Sequence, residues 1–243
     1  MALLTALSPA DLIAALLFGF CWLAYEPLVK RLTRRGPDLI NSHMTVVRTA
    51  WMQAMARREA RFLDSQLMGH VITSASFFAS SNLIIIAAAA GAMFKGGEVL
   101  RQAGAAAPLL ARAPTQVLEL KLALIVLVLG RSLLSLIWAI RQLNYCIGAI
   151  GAAPDPKGDP VRLQAYGAAA AAVLNPALSA FNAGVRGYYF ALAAASWLLG
   201  PFPFAVVTVG AVSLLVWRQV SSSSANGVRR LRTLLEESSS ESR

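Results

Sequence analysis

Residues Leu122–Ile140 read LALIVLVLGRSLLSLIWAI, and Arg131 is the one charged residue among them. As a helix rising about 1.5 Å per residue, this run covers about 28 Å, close to the ~30 Å hydrocarbon core of a bilayer. Lys121 stands at its start, and Trp138 and Arg141 mark its far end. Long basic and aromatic side chains of this kind collect where membrane meets water. The run is therefore a membrane span, and the organisation of the chain is read outward from it.

Toward the N-terminus, two more spans are expected. Residues 12–28 form the first, ending at Trp22, Tyr25 and the breaker Glu26-Pro27. Ser8-Pro9-Ala10-Asp11 reads as its start: Ser8 caps, Pro9 suits the first turn, and Asp11 suits the positive helix end. No basic leader or cleavage site precedes it, so this helix is expected to be retained. Residues 71–94 form the second span, with a polar entry half of Thr73, Ser74, Ser76, Ser80, Ser81 and Asn82. Between them, after a turn at Gly36-Pro37, residues 38–69 have the pattern of a long amphipathic cytoplasmic helix that either extends the second span, the favoured reading, or lies on the membrane surface. Residues 95–121 read as a loop with a short helix near Val99–Leu110.

Toward the C-terminus, Ala153–Pro160 is a Pro-, Asp- and Gly-rich loop. Residues 165–185 are helical in pattern but interrupted by Asn175-Pro176, as in a re-entrant or interfacial helix. Residues 187–199 and 204–217 are the fourth and fifth spans, joined by a turn at Pro201 and Pro203. The fold class is thus all-α, a polytopic membrane helical bundle of about five spans. Residues 1–220 make the membrane domain, and 221–243 a Ser-rich cytoplasmic tail expected to be partly disordered.

Composition agrees with this reading. The 243 residues are 57% hydrophobic and only 14% charged, with a mean hydropathy of +0.58. A water-exposed surface is not built from so few charges when soluble domains carry about 25%. The net charge of +10 suits nucleic-acid binding or cytoplasmic loops. The basic residues flank apolar runs, which favours the loops and no nucleic-acid partner. Lys30, Arg31, Arg34, Arg35, Arg48, Arg57, Arg58 and Arg61 follow the first span, and Arg218, Arg229, Arg230 and Arg232 follow the fifth. The positive-inside rule then puts the N-terminus outside and the C-terminus in the cytoplasm. A bacterial inner (plasma) membrane location is expected, with the lipid bilayer itself as a partner.

Arg131 is the sharpest candidate site. A charge at mid-bilayer costs about 2.5–3.5 kcal/mol on insertion scales, so it must face protein or water. Ser81 and Asn82 lie at a matching depth and offer acceptors, while no carboxylate is expected at that level. Arg131, Asn82, Ser81 and Ser74 are therefore a candidate pathway or anion site; helix packing through small polar residues is the alternative. Arg61 and Asp64, three apart, are placed to pair, alone or in a wider network with Arg48 or Arg58, with a solvated or headgroup-facing charge run as the favoured alternative. Cys21 and Cys146 lie in apolar runs and read as buried small residues. His43 and His70 lack partners at metal-ligand spacing, so no metal is expected. No P-loop, GxSxG, HExxH or dinucleotide fingerprint occurs, so no cofactor is expected and an enzyme is not indicated.

Several blocks occur together: Arg48-x-x-Trp51, Arg61-Phe-Leu-Asp64 with Phe77-Phe78, Trp138-x-x-Arg141-x-x-Asn144-Tyr145, Gly151-Ala-Ala-Pro154, and Asn182-x-x-x-Arg186. In this order, over about residues 10–222, they resemble the domain-of-unknown-function 599 family of bacterial and plant membrane proteins. The resemblance implies a multi-spanning membrane protein without a settled activity. Its motif positions here are Arg48, Trp51, Arg61, Asp64, Phe77, Phe78, Trp138, Arg141, Asn144, Tyr145, Asn182 and Arg186; Arg131 is not among them. Two functions are expected to compete: a homo-oligomeric channel or transporter-like protein leaning to anions, and an accessory or scaffold subunit packing on other membrane proteins.

Overall fold

A computed structural model describes residues 7–35, 40–94 and 114–241 of the chain. The predicted turn at Gly36-Pro37 and most of the 95–121 loop, with its short helix, lie outside the described residues. The elements are α1 (Pro9–Arg35), α2 (Ile40–Ala56), α3 (Phe62–Phe94), α4 (Thr115–Gly151), α5 (Pro160–Ser196), a 3-10 turn (Trp197–Leu199), α6 (Pro201–Val220) and α7 (Ser223–Glu241). Among the described residues there is no strand, and five helices are long and apolar enough to cross a membrane.

The helices start where the sequence supplies caps. At α1 the Ser8 hydroxyl accepts from the Asp11 amide at 3.1 Å, and the Asp11 carboxylate accepts from the Ser8 amide at 3.3 Å and from its hydroxyl at 2.7 Å. This reciprocal pair satisfies two donors that a helix start otherwise leaves unmade. At α5 the Asp159 carboxylate accepts from the amides of Val161 and Arg162, with Pro160 in the first turn. Gly200 has φ 122°, a conformation open to glycine, and lets the chain turn from Trp197–Leu199 into α6.

Helix ends differ from the hydropathy reading. Pro27 lies inside α1 and Pro176 inside α5, so neither ends a helix. Each proline removes one backbone hydrogen bond, which helices in bundles tolerate. Residues 165–185 are accordingly part of one continuous helix rather than a separate re-entrant one. Conversely, residues 38–69 are not one helix: α2 stops at Ala56 and α3 begins at Phe62. No glycine or proline marks this break. Arg61 braces it: its guanidinium donates to the Ala56 carbonyl and shares the Met55 carbonyl with the Arg58 amide at the end of α2. Residues 223–241 are helical, not partly disordered, and α7 packs on α2. Ala225, Val228, Arg232 and Leu235 recur at helical spacing on its less exposed side.

The chain divides into two compact units. The first comprises Met1–Leu32, Ser80–Leu134 and Gly184–Leu215. Its interior holds Phe18, stacked on Trp22, edge-on to Phe190 and tilted against Phe204. The second comprises Thr33–Ala79, Ser135–Ala183 and Val216–Arg243. Its core gathers Met52, Met55, Met68, Leu143, Cys146 and Leu174. Alanines at 170, 171 and 177 and Gly167 keep α5 thin there. A Cβ on Gly167 would stand 2.4 Å from the Gln53 Cα, so only glycine fits this α2–α5 contact.

Candidate functional site

In the first unit, one end is marked by Asp11, Lys121 and Trp197. The Trp197 indole donates to the Asp11 carboxylate at 2.8 Å, and Lys121 donates to the Trp197 carbonyl at 3.0 Å with its ammonium over the ring. Depth can be counted from here. Arg131 lies ten residues along α4 from Lys121, about 15 Å, and Trp22 eleven along α1 from Asp11, about 16 Å. The Arg131 guanidinium lies 6.0 Å from the Trp22 ring centroid, at the depth this count gives. One helical turn further, Glu26 places a carboxylate oxygen 3.9 Å from the Arg131 guanidinium. The Arg131 side chain is 62% exposed and that of Glu26 43% exposed.

This corrects the expectation that no carboxylate reaches the depth of Arg131. With Pro27 read as a stop, Glu26 fell at the boundary; with α1 running on to Arg35, it lies inside a helix beside Arg131. A second cation, Arg186 on α5, covers the ring of Tyr25 at 5.6 Å. Tyr25 is buried edge-on to Phe190, and its hydroxyl has no partner among the described residues.

Asn82 does not serve Arg131 as an acceptor. It is fully buried, and its amide donates to Ser132 Oγ at 2.9 Å and to the Leu129 carbonyl at 3.2 Å. Ser132 in turn donates to the Gly184 carbonyl at 2.6 Å. The chain Asn82–Ser132–Gly184 thus ties α3, α4 and α5 together. Arg131 and Ser132 are adjacent, so their side chains leave the helix about 100° apart, one to the packed interior and one to the outer face. Ser81 is half-buried. Ser74, in the other unit, is exposed and donates to the His70 carbonyl of its own helix at 3.0 Å. Ser132 and Gly187, which meets it, carried no sequence signal beyond being small.

In the second unit, the motif residues form a joint. Asp64, 0% exposed, accepts from the Trp51 indole at 2.7 Å and from Arg58 at 2.6 Å. Arg58, not Arg61, is its ion partner. Arg61 instead donates to the backbone carbonyls of Ala153 and Pro154 as well as those of Met55 and Ala56. A guanidinium suits this because its planar fork offers five donors. The α2–α3 bend is thereby tied to the loop after α4. Arg48 is buried, and burial pulls its guanidinium below the ordinary value. Phe78 packs edge-on against Phe181 and Phe77, which is itself exposed. On α4, Trp138, Arg141, Asn144 and Tyr145 are exposed, and Arg141 donates to the Tyr145 hydroxyl at 2.7 Å. Asn182 is half-buried. His43 is buried with its Nδ1 3.3 Å from the Arg232 guanidinium, while His70 is exposed far along the chain.

A family model described as "Protein of unknown function, DUF599" matches residues 13–224. No curated protein matches the chain. No solved structure matches it either.

Proposed function

This chain belongs to the DUF599 family, and from its five membrane-length helices and its own charges we propose that it is an oligomeric channel or transporter-like membrane protein for a small anion. One observation carries the reading: Arg131, inside an apolar span, is 62% exposed. Hydrocarbon does not cover such a charge without a cost of about 2.5–3.5 kcal/mol, so water or protein covers it. The surrounding balance leans positive. Arg131 and Arg186 stand against Glu26, while Lys121 and Asp11 compensate one another at the far end of the unit. A guanidinium presents planar donors to an anion, and Glu26 within 3.9 Å is placed to hold Arg131 between passages.

The spans run with the N-terminus outside and the basic loops and C-terminus in the cytoplasm of a bacterial plasma membrane. The competing reading is an accessory subunit whose exposed charges are covered by a different membrane protein. Reconstitution separates the two. Purified protein in liposomes is expected to dissipate a chloride or nitrate gradient, and Arg131→Leu to slow this by about tenfold, the worth of one charge-assisted hydrogen bond. A silent wild-type protein that co-purifies with one stoichiometric membrane partner would replace the channel by the subunit.

A further inference from the structure

We infer that the outer face bearing Glu26 and Arg131 is where a second copy of this chain docks, as a two-fold dimer whose axis runs along the membrane normal. The inference rests on the proposed reading of this layer as membrane-embedded and oligomeric, and it names the partner. Both charges are exposed on the same face, one from α1 and one from α4. The patch therefore carries a cation and an anion side by side. A two-fold interface needs such a self-complementary patch, because residue i meets residue j and j meets i. Copies inserted in the same orientation can share only an axis normal to the bilayer. Arg131 of each copy then reaches Glu26 of the partner subunit as well as its own, so each charge of the pair gains a second opposite charge.

The flanking residues fit the same partner. Leu23 on α1, and Leu127 and Leu134 on α4, are exposed around the charges. Gly19 and Gly130 open the surface: a Cβ built on either meets nothing within 4 Å. Gly19, Leu23 and Glu26 share one face of α1, and Leu127, Gly130, Arg131 and Leu134 one face of α4. Small residues between leucines let a partner helix approach closely, and packing of this kind drives association inside lipid. An anionic lipid fits less well, because the Glu26 carboxylate would repel its phosphate.

The test uses the full chain in native membranes, with Cys21→Ser and Cys146→Ala as background. Leu127→Cys and Leu134→Cys are expected to give a covalent dimer under mild oxidation. Leu192→Cys and Phe202→Cys, exposed on other helices, are expected to stay monomeric. Charge pairing between copies is read separately, in the Leu134→Cys chain. Glu26→Gln alone and Arg131→Gln alone are each expected to lose the cross-linked band. Co-expressing the two differently tagged chains restores one cross-chain pair and should recover the band as the mixed dimer. Monomeric particles in nanodiscs, equal cross-linking from the control positions, or no recovery in the mixture would each overturn the inference; circular dichroism and monodisperse elution establish that every variant is folded. A covalent dimer without anion flux keeps this interface and removes the transport reading, whereas flux from monomeric particles does the reverse.

Discussion

Replacing Gly187 by alanine tests whether the first unit is held by the contact of α5 with α4. An alanine Cβ at this position would stand 2.4 Å from the Ser132 Cβ and 2.7 Å from its hydroxyl. Carbon atoms in contact sit about 3.5–4.0 Å apart, so one helix must retreat by about 1 Å or more. Forcing an added carbon into a packed core costs about 1–3 kcal/mol. The retreat also stretches the Asn82–Ser132 and Ser132–Gly184 hydrogen bonds, now 2.9 and 2.6 Å. Hydrogen bonds between membrane helices average about 0.6 kcal/mol. Together these give a loss of about 2–4 kcal/mol. The assay is equilibrium unfolding in mixed micelles of dodecyl maltoside and sodium dodecyl sulfate, followed by helicity. Adding Ser132→Gly to Gly187→Ala removes the clash and is expected to return the steric part of the loss but not the hydrogen bonds. If Gly187→Ala unfolds within about 0.5 kcal/mol of the parent, as a change away from any packed feature would, this account of the packing is wrong.

Other substitutions probe the second unit by the same unfolding assay. Asp64→Ala should lose about 3 kcal/mol, because a buried acceptor of two bonds disappears and leaves the Trp51 indole unmatched. Arg58→Ala should lose about 1 kcal/mol or less, since its side chain is 45% exposed; equal losses for the two would contradict the ranking of partners. Arg61→Lys should cost about 1.5–3 kcal/mol and speed proteolysis near residues 57–61, because one ammonium cannot reach carbonyls on both α2 and the loop after α4. Gly167→Ala should be at least as severe as Gly187→Ala, since the obstructing atoms are the Gln53 and Met52 backbone; wild-type stability there would refute the close α2–α5 contact.

Much of the fold was legible because hydrocarbon imposes a length. Three apolar stretches of near-membrane length and two shorter ones announced five long helices, and Ser8 with Asp11 announced the first helix start. The helix ends were not legible, because hydropathy marks only the part of a helix that lipid covers. At 37 residues, α4 runs about 55 Å, well past the ~30 Å core; beyond Arg141 its apolar signal narrows to the stripe Leu143, Cys146, Ile147 and Ile150, which points to a continuing helix without fixing its end. Pro27 and Pro176 read as stops because the local rule ignores what the rest of a bundle supplies. The break at residues 57–61 was invisible for the opposite reason: it is braced by the Arg61 side chain meeting carbonyls, Ala153 and Pro154 among them, some ninety residues away. The serine-rich tail looked too polar to fold, yet Ala225, Val228 and Leu235 give α7 enough of a stripe to lie on α2.

The candidate site was half legible. Arg131 stood out by its charge in an apolar run, and its depth was countable. Its partner was hidden by the proline: once Glu26 was placed at an end, its depth was not compared with that of Arg131. Asn82 was correctly seen to lie near the same level, but level does not fix face. Adjacent helical positions point about 100° apart, and only packing decides that Asn82 meets Ser132.

The most direct test of the charged layer is the water accessibility of position 131 in the bilayer. In the cysteine-free background, an Arg131→Cys chain is co-expressed with a Glu26→Gln chain, the mixture that keeps one cross-chain ion pair. The introduced thiol is expected to react with a small charged, membrane-impermeant methanethiosulfonate reagent, more slowly than an aqueous thiol because the second copy partly covers the position. Modification by lipid-soluble reagents alone would place this position against hydrocarbon and contradict the account.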